Sequence, residues 1–291
     1  MNERKTGWLI VNGFLKTEKF DQLYTYLQTA AQRRGIELLL KTSDETVCPV
    51  GEEGSLGLPA FVLFWDKDVS LARRIERLGV PVFNGARAVE ICDNKILTAE
   101  TLCANGVATP RTIPAPKTFE GIGYNKAEFL RRAGEILGYP MIVKEAYGSF
   151  GAQVYLAEDF AAAAAIVERI GHKEFLMQEF IAASRGRDIR ANVVGGKVVA
   201  AMTRYNERDF RSNVTNGGKT SPVTLTAEQE KLALDACAAI GLDFAGVDIL
   251  TDGDGKALVC EVNSNPHFKS TLDCTGVDLS EHIMRYIAEK V

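Results

Sequence analysis

Two short apolar segments near the C-terminus, AGVDIL at residues 245–250 and ALVCEVNSNP at residues 257–266, constrain this chain most. Both are β-branched and apolar enough to be buried strands, yet each presents oxygen ligands: Asp248 in the first, Glu261 and Asn263 in the second. Alternate side chains of a strand share a face, so Glu261 and Asn263 can point at one centre. An Asp, a Glu and an Asn carbonyl form a hard but incomplete oxygen set. That set suits Mg2+, which keeps waters and shares itself with substrate phosphates. For either segment alone, polar strand ends hydrogen-bonding a turn would be an equally good reading. The sequence upstream favours the metal.

The 291 residues suffice for two or three lobes with their own cores. Strands read at 7–13, 36–41 and 60–65 alternate with helices at 18–34 and up to Leu78, which predicts a doubly wound parallel sheet. The glycines of GEEGSLG, 51–57, neither directly follow a strand nor open a helix, so they read as a flexible loop rather than a dinucleotide fingerprint. Residues 86–105 read as one or two helices, and VATPRTIPAP as a lobe boundary or crossing strand. Strands follow in PMIVKEA, AQVYLA and FLMQEFI (175–181), with helices around 125–137 and 158–170. DIRANVV and KVVAAMT form a hairpin across Gly195-Gly196. Helices at 227–240, with Ala233, Ala236, Cys237 and Ile240 on one stripe, and at 278–290 complete the chain.

Composition excludes several classes. A formal charge of −4 with no basic block leaves no electrostatic footprint for nucleic acid or anionic membrane. No apolar run approaches a membrane span, and the start lacks the apolar length and cleavage site of a signal peptide. Six scattered cysteines without a CxxC pair fit reduced thiols, so a cytoplasmic location is expected. None of His172, His267 and His282 has the context of a partner for a catalytic cysteine.

Lys144 ends an apolar strand and runs straight into AYGSFGAQ. Glycines let backbone N–H groups approach a phosphate and the ammonium supplies charge, although a hairpin turn beside a solvated lysine would look the same. Lys95, in CDNKILT, is a candidate second phosphate contact. Asp188 enters a strand and can accept from ribose hydroxyls or pair with Arg187 or Arg190. Arg208, Arg211, Asn213 and Lys219 crowd a Gly-containing loop built to meet anions. Its NVTNGGKT is not a P-loop, because the first glycine is missing and no apolar strand precedes it.

In order, DNK (93–95), IVKEAYGSFG (142–151), MQEFI (177–181), DIR (188–190), DFRSN (209–213), AGVDIL and EVNSNP make the chain resemble an ATP-grasp ligase, with the RimK-type α-L-glutamate ligases as the nearest group. The resemblance implies an ATP-grasp fold of class α/β (α+β). Residues 1–92 would form an N-terminal parallel α/β domain, 93–174 a central lobe and 175–291 a C-terminal lobe, the two antiparallel lobes clamping ATP. It implies phosphate contacts from Lys95 and Lys144, with Tyr147, Gly148, Ser149, Phe150 and Gly151 as a lid. Glu179 and Phe180 would face adenine, Asp188 the ribose, and Arg211, Ser212 and Asn213 the γ-phosphate and acyl phosphate, with Arg211 catalytic. Mg2+, or Mn2+ in its place, would be held by Asp248, Glu261 and Asn263.

The implied activity is ATP-dependent ligation of an amine to a carboxylate through an acyl phosphate. Glutamate or a similar amino acid would be added to a carboxylate-bearing peptide, protein or small molecule, by a homo-oligomer. The alternatives are another ATP-grasp amino-acid ligase or an ATP-binding regulator without chemistry. Arg204, left without an obvious anion, is expected to bind a substrate carboxylate, with a pair to Glu207 or another surface acid as the bland reading. Where the family often has a small residue and glycine after the metal asparagine, this chain has His267 and Phe268, expected to shape the acceptor pocket.

Overall fold

The computed structural model describes residues 5–15, 17–47, 49–50, 57–149, 151–212 and 217–291. Phe150, Asn213, Cys48 and residues 51–56 of the GEEGSLG loop lie outside the described residues.

The first unit contains β1 (Thr6–Val11), α1 (Glu18–Gln32), β2 (Glu37–Thr42), β3 (Phe61–Trp65), α2 (Val69–Arg77) and β4 (Val82–Phe83). Its strands pair in parallel in the order β2-β1-β3-β4, as the strand–helix alternation predicts. β1 and β3 are covered on both faces, which is why FVLFW is apolar without alternation and wholly buried. Two helices follow, α3 (Ala86–Asp93) and α4 (Lys95–Ala104). Asn94 divides them, its Oδ1 accepting from the Ile96 and Leu97 amides at 2.9 and 3.3 Å as the cap of α4.

The second sheet comprises β5 (Thr112–Pro114), β6 (Met141–Glu145), β7 (Val154–Ala157) and β8 (Phe175–Glu179), antiparallel in the order β5-β8-β6-β7. Helices α5 (Glu128–Leu137) and α6 (Phe160–Ile170) cover one face, where Val143, Phe175 and Met177 pack with Leu130, Ala133 and Ala163. By the period of two, Lys144 and Gln178 emerge on the other face. Phe175–Glu179, expected in the C-terminal lobe, is thus an inner strand of the central sheet: the chain crosses between lobes after Glu179, not before Phe175.

The third sheet holds β9 (Arg187–Val194), β10 (Lys197–Tyr205), β11 (Lys219–Pro222), β12 (Phe244–Thr251) and β13 (Ala257–Asn263), antiparallel in the order β11-β10-β9-β12-β13. Helix α7 (Ala227–Ile240) opens with a Thr226–Gln229 capping box and packs Ala233, Ala236, Cys237 and Ile240 on one face of this sheet. After α8 (Lys269–Thr275), α9 (Leu279–Lys290) returns to α1. Ile283, Met284 and Ile287 share a core there with Leu23, Leu27 and Phe268. Neither α8 nor edge strand β11 is foreseen by apolar periodicity, since both are short and polar. The buried Asn84 fixes the first unit to the third: its Nδ2 donates to the Phe244 and Ser264 carbonyls at 2.9 and 2.7 Å. Among the described residues no helix is long and apolar enough to cross a membrane.

Candidate active site

The face of the third sheet opposite α7 carries charge. Cross-strand register sets Arg204 opposite Asp188, and places Arg190, Asp248 and Glu261 in one row, with Asn192, Gly246 and Asn263 in the next. A bulge at Cys260 makes this possible. Val259 pairs with Ile249 and Glu261 with Asp248, so two residues of β13 oppose one step of β12. Val259 and Val262, three apart, therefore both reach the α7 core, and Glu261 and Asn263 both face away from it.

Asp248 is buried and held by two guanidiniums. Arg190 grips it in a fork, Nη2 donating to Oδ2 at 2.8 Å, while Arg204 Nη2 lies 2.8 Å from the same oxygen. Arg204 also donates to Asp188, at 2.7 and 2.5 Å, and Ser212 Oγ donates to Asp188 at 2.5 Å. Gly246 makes room for this network, for a Cβ there would stand 3.0 Å from the Arg190 guanidinium and 3.0 Å from Pro266. Burial opposes the Asp248 charge, but Arg190 and Arg204 outweigh it and hold the carboxyl below its usual range. Burial dominates at Asp188 and pushes it up despite Arg204. Arg204 is therefore not short of an anion, as its sequence context implied. Its partners are Asp188 and Asp248 rather than Glu207, because the hairpin sets residues 188 and 204 face to face. Asp188 likewise engages neither Arg187, which lies over Tyr205 at 4.5 Å, nor Arg190.

Two lysines meet this face, Lys95 from the start of α4 and Lys144 from the end of β6. Lys144 Nζ donates to Gln178 Oε1 at 2.7 Å and lies 3.6 Å from Cys260 Sγ. Lys95 Nζ is 4.0 Å from Glu261 and donates to the Gly148 carbonyl at 3.0 Å. Burial, with Lys144 and Lys67 nearby, lowers the Lys95 pKa against the pull of Glu261. The loop after Lys144 is pinned at each described position: Asn94 Nδ2 donates to Tyr147 Oη at 3.1 Å, Lys67 Nζ to Ser149 Oγ at 3.2 Å, and Arg211 Nη1 to the Gly151 carbonyl at 2.6 Å. Gly148 fits its tight place with φ +144, where a Cβ would collide with Gln153.

Two spaces adjoin the constellation. One, about 20 Å³, lies between the lobes among Lys95, Lys144, Gln178, Cys260 and Glu261. The other, about 580 Å³, runs from Arg190, Arg204, Glu261 and Asn263 to Trp65, Asp66 and His267. Glu179 and Phe180 line neither: Glu179 is taken by Arg111 at 2.7 Å, and Phe180 lies under Arg185 at 5.8 Å. Phe268 does not shape the cavity either, being fully buried against Trp65, whereas His267 does line it.

Comparison with known proteins fits this arrangement. A family model described as the RimK-like ATP-grasp domain matches residues 92–287. The chain belongs to the RimK-like ATP-grasp family. The members of this family are ATP-dependent carbon–nitrogen ligases. A probable alpha-L-glutamate ligase of Syntrophotalea carbinolica is 36% identical, aligned over 92% of this chain and 84% of that one. Beta-citrylglutamate synthase B of Danio rerio is 30% identical over 86% of this chain, which spans only 61% of that relative's length. A RimK domain ATP-grasp protein of Sphaerobacter thermophilus superposes with a TM-score of 0.73 at 23% identity, over 97% of this chain and 98% of that one, so the fold is the ATP-grasp fold.

The oxygen set read from the sequence fits a Mg2+ ion in part. Among the described residues the ion pair of Glu261 is with Lys95 at 4.0 Å, and Asn263 spends its amide nitrogen on the Gly246 carbonyl at 3.3 Å, which leaves Oδ1. Asp248 is engaged by both Arg190 and Arg204 and offers no free oxygen in this arrangement. Two carboxylates and one amide are a set that water and phosphate oxygens would complete. Among the described residues no cluster of three or more His, Cys, Asp or Glu side chains is placed to hold a metal. Sequence reasoning missed the contribution of Arg190, whose only signal was its place in DIR, and of Gln178, a polar residue in a buried strand that positions Lys144.

Proposed function

We propose that this chain uses ATP to join the amino group of an amino acid, glutamate foremost, to a carboxylate on a peptide, protein or small molecule. The observation that carries the reading is convergence. Lys95 at the start of α4 and Lys144 at the end of β6 meet Glu261 and Cys260 of β13, so two ammonium groups and a carboxylate gather around one space, as phosphate and metal binding would require. The glutamate in the names of both relatives supports the choice of amino acid.

In the first step a substrate carboxylate oxygen attacks the γ-phosphorus of ATP. The bond to the ADP oxygen breaks and an acyl phosphate forms. The amino group, having shed one proton from its ammonium form to solvent, then attacks the acyl carbon, phosphate leaves, and the second proton departs with the phosphate. Lys95, Lys144 and Arg211 would neutralise charge on the transferred group, and Asp188 would meet the ribose after parting from Arg204. Asp248, Glu261 and Asn263 would hold Mg2+, or Mn2+ in its place. Such an ion would supply charge neutralisation to the phosphoryl group in transfer. A cytoplasmic, homo-oligomeric enzyme completes the reading, the second part of which mass photometry would check.

The test is Mg2+-dependent ADP release with glutamate and a panel of carboxylates, with products weighed by mass spectrometry. Glu261→Gln keeps shape and removes charge, so turnover should fall by about 100-fold, the equivalent of ~3 kcal/mol, without loss of fold. Near wild-type turnover in this variant would remove Glu261 from the metal set. Silence of the wild-type protein with every mixture would favour the rival reading of an ATP-binding regulator.

A further inference from the structure

Asp66 ends up buried at the mouth of the parallel sheet with half of its carboxylate unused. It follows β3 directly and is only 5% exposed. Its Oδ1 accepts from Asn12 Nδ2 at 3.2 Å and from the Lys67 amide at 2.6 Å. Among the described residues its buried Oδ2 has no hydrogen-bond partner, and Asp66 forms no ion pair. The adjacent Lys67 is no counter-ion, because it is paired with Asp93. Leaving such a group unsatisfied is costly, and a chain that does so at a cavity wall invites a ligand donor.

The same wall carries a second unused acceptor. Asn265 Nδ2 donates to the Asp66 carbonyl at 3.1 Å, while its Oδ1 is buried without a partner among the described residues. Both residues line the 580 Å³ cavity that also reaches Glu261, Asn263 and Arg190. The position is physically apt, since the C-terminal ends of parallel strands, here β1 at Asn12 and β3 at Asp66, are where α/β sheets receive ligands. A carboxylate and an amide acceptor on one cavity wall, tied together through the Asp66 backbone, ask for a positively charged donor. An ammonium meets both, with three N–H groups and one charge.

We infer that Asp66 and Asn265 form the subsite for the ammonium group of the amino-acid substrate, which makes the N-terminal unit a specificity element of the ligase. The inference rests on the ligase reading for the identity of that substrate. Asn12 acts as a positioning residue: its Nδ2 engages Oδ1 and so leaves Oδ2 for the ligand.

The test uses the whole chain with Mg2+ and a non-hydrolysable ATP analogue, and compares L-glutamate with glutarate, the same diacid without the amine. Wild type should bind L-glutamate at least about 10-fold more tightly than glutarate, the range of a charge-assisted hydrogen bond. Asp66→Asn should lose that discrimination and keep its nucleotide affinity. Because it removes an unpaired buried charge, it should also melt no lower than wild type. Equal binding of the two probes by wild type, binding of neither, unchanged discrimination in Asp66→Asn, or a lower melting temperature of that variant would each overturn the inference. So would a thermal shift with Mg2+ alone that vanishes in Asp66→Asn, since the subsite would then be a cation site. ADP release with a panel of other amines is read separately, so failure of this subsite and failure of the ligase reading are distinct results.

Discussion

Arg204 stands between two buried carboxylates, and the consequence of removing it follows from that position. Among the described residues, Arg204→Ala leaves Asp188 without its paired cation and Asp248 with Arg190. Breaking a buried pair from one side costs ~3–5 kcal/mol, because the remaining charge is uncompensated. The variant should therefore melt well below wild type. Mg2+ should raise the variant's melting temperature more than the wild type's, the divalent charge replacing the lost guanidinium. Equal shifts in both proteins would argue against Asp248 as a metal ligand. His267 gives a different signature. Burial, helped by the Lys19 ammonium, lowers its pKa from 6.5 to about 4. Between those values the unfolded chain holds more protons than the folded one, so stability is complete above pH 6.5 and declines as pH falls toward 4. Thermal melts across that range should show His267→Gln losing less stability than wild type; parallel curves would contradict it.

The elements do two jobs that no single residue could. The bulge on β13 decides which face receives Glu261: strict alternation from Val259 would send residue 261 into the α7 core. The loop after β6 is held by Asn94, Lys67, Lys95 and Arg211, and the last two are the cations assigned to phosphate. Once those side chains turn to ATP, the loop must find new partners, and the phosphate oxygens are the nearest candidates for its N–H groups. Hydrogen exchange at residues 147–149 and 151 should slow on adding ATP and Mg2+. Exchange indifferent to nucleotide would rule out a lid that closes on it.

For the molecule as a whole, the two spaces differ in readiness. The 20 Å³ space between the lobes has room for about one water, not for a nucleotide, whereas the 580 Å³ cavity lies within the usual range for a small-molecule site. A nucleotide bound between the second and third sheets would then need its walls to move apart from this arrangement. Small-angle scattering of the nucleotide-free protein should give a larger radius than this closed arrangement, and contraction on adding Mg2+ with an ATP analogue. An unchanged radius would place the nucleotide outside the cleft.

Much of this was legible in local pattern. Alternating β and α runs dictated the parallel sheet, Gly195-Gly196 the hairpin, and period-two placement of Glu261 and Asn263 their shared face, since these depend on residues close in sequence. Motif order carried the family. The partners of charged groups were not legible, because they are set by pairings across distant strands: Arg204 meets Asp188 and Asp248, and Lys95 meets Glu261, only when three sheets are assembled. Apolar surface is claimed by periodicity that a sequence displays. Buried charge is claimed by whichever opposite charge the tertiary fold brings within reach, and the low dielectric of the interior makes that late choice energetically decisive.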